Sequence, residues 1–264
     1  MVDKSKRQKA GSTNEKDVEE KELREIDLLD HNYPLLKEFR EKAPGSFKHT
    51  QSLVSMIDNV AASIDLGSED LKLAAMYHDI GKMWAPEFFS ENQASDENTH
   101  DKLDPQISYY IITRHVSDSV IILVANGFPE KVTKMVSQHH GTTVLKAIYE
   151  KVKGLHPKGA VSDEYLFRYR TQKPDSLESL ILLLCDHVEA TSRATFSTQE
   201  QEVDATSFIT NIFNKLMADG QFDDVEIRLG YLNKLQEALI SDIAGSFHKR
   251  VKYEENDIKL EKKK

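Results

Sequence analysis

Residues 69–82 read EDLKLAAMYHDIGK and join an apolar helical pattern to a histidine–aspartate pair. Leu71 and His78 are separated by about two helical turns, which places them on the same face of a helix. Gly81 then interrupts the pattern, as glycine commonly does near a helix end. The stretch therefore predicts a helix that carries His78 towards the protein interior, with Asp79 directly beside it.

The same helical period recurs along most of the chain, whereas the alternation typical of β-strands is scarce. We therefore predict an all-α fold. The periodic segments are 53–64, 69–80, 105–117, 130–140, 176–193, 206–218 and 231–247. Proline and glycine fall between these segments. Two longer irregular stretches, 84–104 and 154–175, have the length of loops that usually carry function or disorder.

The pattern divides the chain into five parts. Residues 1–22 are polar and lack aromatic side chains, which predicts a disordered tail. We predict a helical lead-in at 23–44 and the main helical domain at 45–195. A C-terminal helical extension at 196–253 and a charged tail at 254–264, ending in a lysine run, complete the chain.

The composition is that of a globular protein with an acidic balance. Its 264 residues include 35 Lys and Arg against 44 Asp and Glu, a net charge of −9. Because sequence-independent binding of nucleic acid depends on basic surface, we expect no nucleic-acid polymer as a partner. Cys185 is the single cysteine, and no uninterrupted apolar run approaches the roughly 20 residues that span a bilayer. No secretory signal opens the chain, so we expect a cytoplasmic protein without a membrane span.

Several ionisable side chains lie on the apolar faces of different predicted helices. A single histidine in such a position is most often a core residue with a hydrogen-bond partner. Many of them together are costly to bury unless they pair or bind metal. Besides His78 and Asp79, these side chains are His49, His115, His139, His140 and Asp186.

This set of imidazoles and carboxylates suits iron, manganese or zinc. It offers more donors than a single ion of four to six ligands needs, and therefore fits two ions that share a carboxylate. Two metals about 3.5–4 Å apart activate water and stabilise the oxygens of a phosphoryl group. The spacing alone thus predicts a dinuclear metal centre that hydrolyses a phosphate ester.

Residues 77–82 (YHDIGK) also carry the histidine–aspartate signature of the HD phosphohydrolase superfamily. Further blocks, in the same order, resemble the cytoplasmic domain of one branch, the PgpH-type seven-transmembrane HD proteins. The likeness extends from about residue 34 to residue 250. The blocks are 43–49 (APGSFKH), 91–93 (ENQ), 100–103 (HDKL), 139–143 (HHGTT) and 186–193 (DHVEATSR).

This resemblance implies an HD-domain helical bundle at 45–195 and a metal-dependent phosphodiesterase. Proteins of this branch hydrolyse the nucleotide cyclic-di-AMP to linear pApA, with iron or manganese as the metal and a metal-bridging hydroxide as nucleophile. Carried over by position, one ion would be held by His49, His78, Asp79 and Asp186. Asp79 would bridge to a second ion, held by His115, His139 and His140.

Substrate contacts are predicted at Lys82, His100, Lys102 and Arg193. Lys82 follows the metal-binding pair and is placed to neutralise a phosphate oxygen, which makes it a catalytic candidate beside Asp79; otherwise it is an exposed lysine at a helix end. Arg193 either binds phosphate or pairs with Glu189, and His100 and Lys102 either contact substrate or order their loop. Three aromatic residues either stack on a base or fill the core: Trp84, Phe88 and Phe89.

Two departures from known branches bear on the substrate. No membrane-embedded region precedes the HD motif here, so a stand-alone enzyme or a separate regulatory partner is expected. The letters GTT, not GYP, follow the paired histidines, which disfavours the HD-GYP enzymes that cleave cyclic-di-GMP. Two alternatives stay open: a nucleotidase or linear-dinucleotide phosphodiesterase with the same metals, and a catalytically silent nucleotide sensor. The complete ligand set disfavours the sensor.

Overall fold

The computed structural model describes residues 28–93, 98–155, 163–196 and 204–261, and the tail predicted at 1–22 lies outside them. The chain divides into two compact units, Met1–Glu38 and Phe39–Lys264. In the first unit the backbone and side-chain amides of Asn32 both donate to Asp30 Oδ1, at 2.9 and 3.0 Å. The turn that they close precedes helix α1 (Pro34–Lys42).

The second unit is helical, which confirms the predicted all-α fold. Its described residues contain no β-strand, only an isolated bridge between Val144 and Arg168. Each periodic segment of the sequence corresponds to one helix, whereas α6 was not predicted. The helices are α2 (Pro44–Ser63), α3 (Glu69–Tyr77), α4 (Pro105–Ala125), α5 (Glu130–Gln138), α6 (Lys146–Leu155), α7 (Leu177–Phe196), α8 (Ala205–Ala218) and α9 (Leu229–Glu261).

The core is built around α7. Residues 180–185 (LILLLC) of this helix are all buried, which is the pattern of a helix covered on every side. Helices α2, α3 and α5 pack against α7, and α4 packs against α5 and against a short 3-10 helix, Ile80–Trp84, that follows α3. The helices that carry the predicted ligands thereby pack side by side around α7.

In the irregular stretch 84–104, the described residues 84–93 and 98–104 form short 3-10 helices. These are Pro86–Phe88, Ser90–Asn92 and Thr99–Lys102. Asn92 Oδ1 accepts hydrogen bonds from the backbone N–H groups of Gly45 and Ser46, at 2.8 and 3.1 Å. These are among the first N–H groups of α2, which have no partner within the helix. A Cβ atom on Gly45 would lie 1.8 Å from the carbonyl oxygen of Glu91, so only glycine allows the loop to approach this closely.

The C-terminal extension packs onto the bundle, with α8 against α7 and α9 against α2. The buried Gln221, just after α8, accepts from the backbone N–H of Thr142 at 3.0 Å and donates to its hydroxyl at 3.1 Å. The extension therefore holds the loop that follows the paired histidines. Helix α9 continues to Glu261, so most of the charged tail predicted from residue 254 is helical.

Among the described helices, α4 is long and apolar enough to cross a membrane, judged by length and composition alone. Core helices of globular domains pass the same test, and α4 buries His115 and Asp118 in the bundle. The expectation that this chain has no membrane span therefore stays a prediction.

Candidate metal centre

Two of the predicted ligands stand directly after helix ends. Helices α3 and α5 each end at the residue before a histidine, His78 and His139. Nδ1 of His78 donates to the carbonyl of Ala75 at 2.8 Å, and Nδ1 of His139 donates to the carbonyl of Val136 at 2.6 Å. Carbonyls in the last turn of a helix have no partner within it. Each ring therefore caps its own helix and leaves Nε2 free to face the centre.

The other predicted ligands come from α2, α4, α7 and the turn after α5. On α4, His115 Nδ1 lies 2.5 Å from the carbonyl of Ile112, and on α2, His49 Nε2 lies 3.0 Å from Asp186 Oδ1 on α7. His140 Nδ1 lies 3.6 Å from the other oxygen of Asp186, Oδ2. Separate elements thus converge on one buried place.

The carboxylate of Asp79 lies between two sets of imidazoles. Its Oδ2 is 3.2 Å from Nε2 of His78 and 3.8 Å from Nε2 of His49. Its Oδ1 is 3.3 Å from Nε2 of His115 and 3.9 Å from Nε2 of His139. The two oxygens of one carboxylate therefore face two different groups, which is the arrangement that a bridging ligand needs.

The donor atoms form two groups, each with its members within 4.8 Å of one another. The first group is His49, His78 and Asp79, with Asp186 beside it, and the second is His115, His139 and His140. The structure thus brings the seven predicted ligands together in the two predicted sets; that they bind metal stays a prediction.

The chemistry of the two groups fits divalent metal ions. Within the described part of the chain, no group makes a hydrogen bond of suitable geometry with the buried His78 Nε2 or Asp79 Oδ1, although charged side chains lie near both. A buried polar atom without a partner costs about 1–3 kcal/mol, and coordination to a cation removes that cost. Imidazole nitrogens together with carboxylate oxygens are ligands that divalent transition metals accept.

The histidines of the second group are held neutral. Burial lowers the pKa of His115 to about 4, and burial with the nearby His78 and His115 lowers the pKa of His139 to about 3. The pKa of His140 is also well below its usual value, mainly because the ring is buried and secondly because His139 lies beside it. Neutral imidazole keeps a free lone pair, which is the form that binds metal.

The first group combines imidazoles with two ionised carboxylates, Asp79 and Asp186. Burial would lower the pKa of His78, but Asp79 and Asp186 raise it to about 10. Burial would raise the pKa of Asp79, yet the neighbouring His78 and Lys82 hold it well below its usual value. Two ionised carboxylates in a buried place attract a cation, either a proton on an imidazole or a metal ion that replaces it.

Lys82 lies at the edge of this group, with a side chain only 13% exposed, rather than standing exposed at a helix end. Its Nζ lies 2.7 Å from Asp79 Oδ2, 2.8 Å from Glu91 Oε1 and 4.9 Å from the centre of the Phe89 ring. Burial would raise the pKa of Glu91, but the ammonium of Lys82 lowers it to about 2. The predicted contact of Lys82 with a phosphate oxygen stays a prediction.

The remaining predicted substrate residues lie in different surroundings. Arg193 pairs with Glu189 Oε2 at 3.1 Å, which is one of its two predicted partners. His100 is buried, and its Nε2 donates to the carbonyl of Phe88 at 2.7 Å, so the ring orders its loop. Lys102, on the same short 3-10 helix, is exposed.

The three aromatic residues of the loop divide between core and surface. Phe89 is buried, with its ring centre 5.7 Å from that of His115. Trp84 is exposed over 48% of its surface, and Phe88 lines a cavity beside the metal centre. Phe89 thus packs beside the second group of ligands, and both Phe88 and Phe89 line the cavity.

That cavity has a volume of about 600 Å³, within the range of small-molecule sites. His140 and Asp186 form part of its wall, so it adjoins the metal centre. Tyr169 also lines it and stacks on the His140 ring, with 4.3 Å between ring centres. Lys146, at the start of α6, lies on the wall as well, and no ion pair of this lysine is present among the described residues. The sequence offered no signal for Tyr169 or Lys146, since each enters the cavity through tertiary packing.

Comparison with protein families matches residues 46–191 to the HD domain. The chain belongs to the HD-domain family. This membership confirms the resemblance read from the sequence, and it extends over the segment that supplies the seven predicted ligands.

Two curated relatives of this HD-domain chain are cyclic-di-AMP phosphodiesterases named PgpH. The protein of Listeria monocytogenes is 35% identical over 228 residues, covering 86% of this chain and 31% of the relative. The protein of Bacillus subtilis is 32% identical over 233 residues, covering 88% of this chain and 32% of the relative. The chain therefore spans about a third of the length of these relatives.

A solved structure of the L. monocytogenes phosphodiesterase PgpH HD domain in complex with cyclic-di-AMP is also similar. It aligns with a TM-score of 0.74 at 34% identity and covers 81% of this chain and 98% of the other. The likeness thus includes the fold as well as the sequence of nearly the whole solved domain.

Proposed function

We propose that this HD-domain chain hydrolyses cyclic-di-AMP to linear pApA. The observation that carries the proposal is a carboxylate, Asp79, shared by two groups of metal-ligand side chains beside a cavity of about 600 Å³. The relatives named as cyclic-di-AMP phosphodiesterases and the similar solved domain in complex with that nucleotide support the choice of substrate. We place the reaction in the cytoplasm.

We propose iron or manganese as the metal, with His49, His78, Asp79 and Asp186 at one position and His115, His139 and His140, with Asp79, at the other. Two such ions, when bound, supply an activated water and stabilise charge on phosphoryl oxygens. The contribution of the chain is to hold the imidazoles and ionised carboxylates in place before substrate arrives, so that little reorganisation is needed.

The cavity wall is suited to the rest of the nucleotide. Phe88 and Tyr169 present aromatic surface on which a base stacks, an interaction worth about 1–3 kcal/mol per base. Apolar walls also exclude water from the reacting bond, which strengthens the attraction between charges inside. Lys82, held between Asp79 and Glu91, adds positive charge at the edge of the centre, where phosphate oxygens would lie.

The proposal is tested by incubating the metal-loaded chain with cyclic-di-AMP, cyclic-di-GMP, pApA and 5′-mononucleotides and separating the products by chromatography. We expect cyclic-di-AMP to be consumed fastest and pApA to accumulate. Faster turnover of pApA or of mononucleotides would favour the nucleotidase alternative. Tight binding of cyclic-di-AMP without turnover of any compound would favour a sensor.

A second prediction concerns Lys146, whose charge we expect to contact the phosphate that is not being cleaved. Lys146→Gln should raise KM for cyclic-di-AMP roughly 3- to 10-fold, the scale of a partly exposed contact between charges, and leave kcat unchanged. Bis(p-nitrophenyl) phosphate has a single phosphate, so its hydrolysis should not change.

The matched control for Lys146→Gln is Lys153→Gln. Lys153 is a second lysine of α6 and pairs with Glu150, so the control removes one positive charge from the same helix. It should leave KM for both compounds unaltered. An equal rise in KM for both compounds in the Lys146 variant would show that the lysine acts on the reacting phosphate or on the fold.

A further inference from the structure

The histidines of the centre are oriented in two different ways. In His78, His115 and His139, Nδ1 lies 2.5–2.8 Å from the carbonyl three residues earlier in the chain. The orientation of these rings therefore comes from their own helices. It is fixed by local backbone geometry and needs no other side chain.

In the other two rings Nδ1 faces a side-chain carboxylate instead, which for His140 is Asp186 Oδ2 at 3.6 Å. His49 makes the closer of these two contacts. Its Nδ1 lies 2.5 Å from Oε2 of Glu189, a residue of α7 that is 140 positions away in the chain. Its Nε2 points to the centre, 3.0 Å from Asp186 Oδ1 and 3.8 Å from Asp79 Oδ2. The ring of His49 thus depends on a carboxylate from another helix for its orientation.

Helix α7 is built to supply that carboxylate. Asp186, Glu189 and Arg193 follow one another at steps of three and four residues, so they share one face of the helix. The Glu189 side chain is only 12% exposed, and Arg193 donates to the same oxygen that contacts His49, at 3.1 Å. Arg193 therefore fixes Glu189, and Glu189 fixes His49.

We propose that Glu189 is a positioning residue that holds His49 with Nδ1 protonated and Nε2 directed at the first metal position; this rests on the proposed metal centre. A carboxylate behind a ligating imidazole fixes its tautomer and makes it a stronger donor, and its loss commonly weakens metal binding about 10- to 100-fold. At the second position, Nδ1 of His115 and of His139 faces a backbone carbonyl and Nδ1 of His140 faces Asp186. We therefore expect the loss of Glu189 to act on the first position.

The test is calorimetric titration of Mn²⁺ alone into metal-free protein. Wild-type protein should bind about two ions. In Glu189→Ala, one binding event should weaken about 10- to 100-fold and the other should not change. Glu189→Gln keeps an acceptor for His49 Nδ1 and should recover part of the loss. The control is Glu178→Ala. Glu178 also lies on α7, but its carboxylate pairs with Lys131 of α5, so its removal should leave both binding events unchanged.

Four outcomes would overturn the proposal. Equal weakening of both binding events, or unchanged affinity with a lower melting temperature of the metal-free protein, would assign Glu189 to general stability. No recovery in the glutamine variant would exclude orientation through Nδ1. Wild-type protein that binds no Mn²⁺ would overturn the metal centre itself. Because no nucleotide is used, failure to hydrolyse cyclic-di-AMP has no bearing on these results.

Discussion

Asp79→Asn should lower kcat for cyclic-di-AMP by roughly 100- to 1,000-fold or more, the loss that follows removal of one preorganised charged group. Asparagine has the shape of aspartate but lacks its charge and offers one acceptor oxygen instead of two. Because the two oxygens of Asp79 face different groups of ligands, asparagine can offer its single oxygen to only one group and cannot bridge the two. Metal content measured after anaerobic purification should fall below the about two ions expected for the wild type.

Asp79→Ala should abolish turnover while the far-ultraviolet circular dichroism spectrum stays helical. The control is Asp118→Asn, another buried aspartate, which pairs with Arg114 at 3.1 Å and belongs to neither group of ligands. Its activity should stay within a few-fold of the wild type. Full activity of Asp79→Asn, or of protein that contains no transition metal, would contradict the metal centre.

The helices and the inward histidines could be predicted because both follow from local periodicity. His78 shares a face with Leu71, and that relation survives in the structure, where both residues are buried. Helix α6 was not predicted because it buries only Ile148 and Val152. Two apolar positions are too few to define a helical period in the sequence.

The carboxylate behind His49 and the contacts of the loop could not be predicted, because these partners come from distant parts of the chain. Glu189 belongs with His49 only after α2 and α7 pack together, and Glu91 accepts from Ser46 at 2.8 Å across the loop. A glutamate on a helix is most often a solvated surface residue. Periodicity places a residue on a face, whereas its partner depends on the fold.

The glycine of the signature illustrates the same limit. In the sequence, Gly81 marks only the end of a helix. In the structure its backbone N–H donates to Ser119 Oγ at 2.9 Å, so the turn after α3 lies directly on α4. A Cβ atom at this position would lie 2.3 Å from the carbonyl oxygen of His115 and 2.6 Å from the backbone nitrogen of Ser119. The smallest residue is therefore required for close approach of two backbones.

Gly81→Ala should consequently damage both stability and metal binding. Backbone atoms of α4 cannot move aside as a flexible side chain could, so we expect a loss of about 1–3 kcal/mol or more in the free energy of unfolding. For a domain of this size that corresponds to a melting temperature lower by roughly 2–12 °C. Asp79 Oδ1 lies 3.3 Å from His115 Nε2 of α4. Separation of the turn from α4 would lengthen this distance and weaken the second metal position.

The matched control is Gly154→Ala, in which the new Cβ would meet no described atom within 4 Å apart from the adjoining backbone of its own helix. Gly154 lies within α6, where alanine is favoured over glycine by up to about 1 kcal/mol, so its melting temperature should stay the same or rise. Thermal unfolding of both metal-free variants, followed by Mn²⁺ titration, separates packing from ligation. A Gly81→Ala protein that keeps the wild-type melting temperature and both binding events would contradict this prediction. It would show that the turn can shift without cost, and that contact with α4 does not require glycine at position 81.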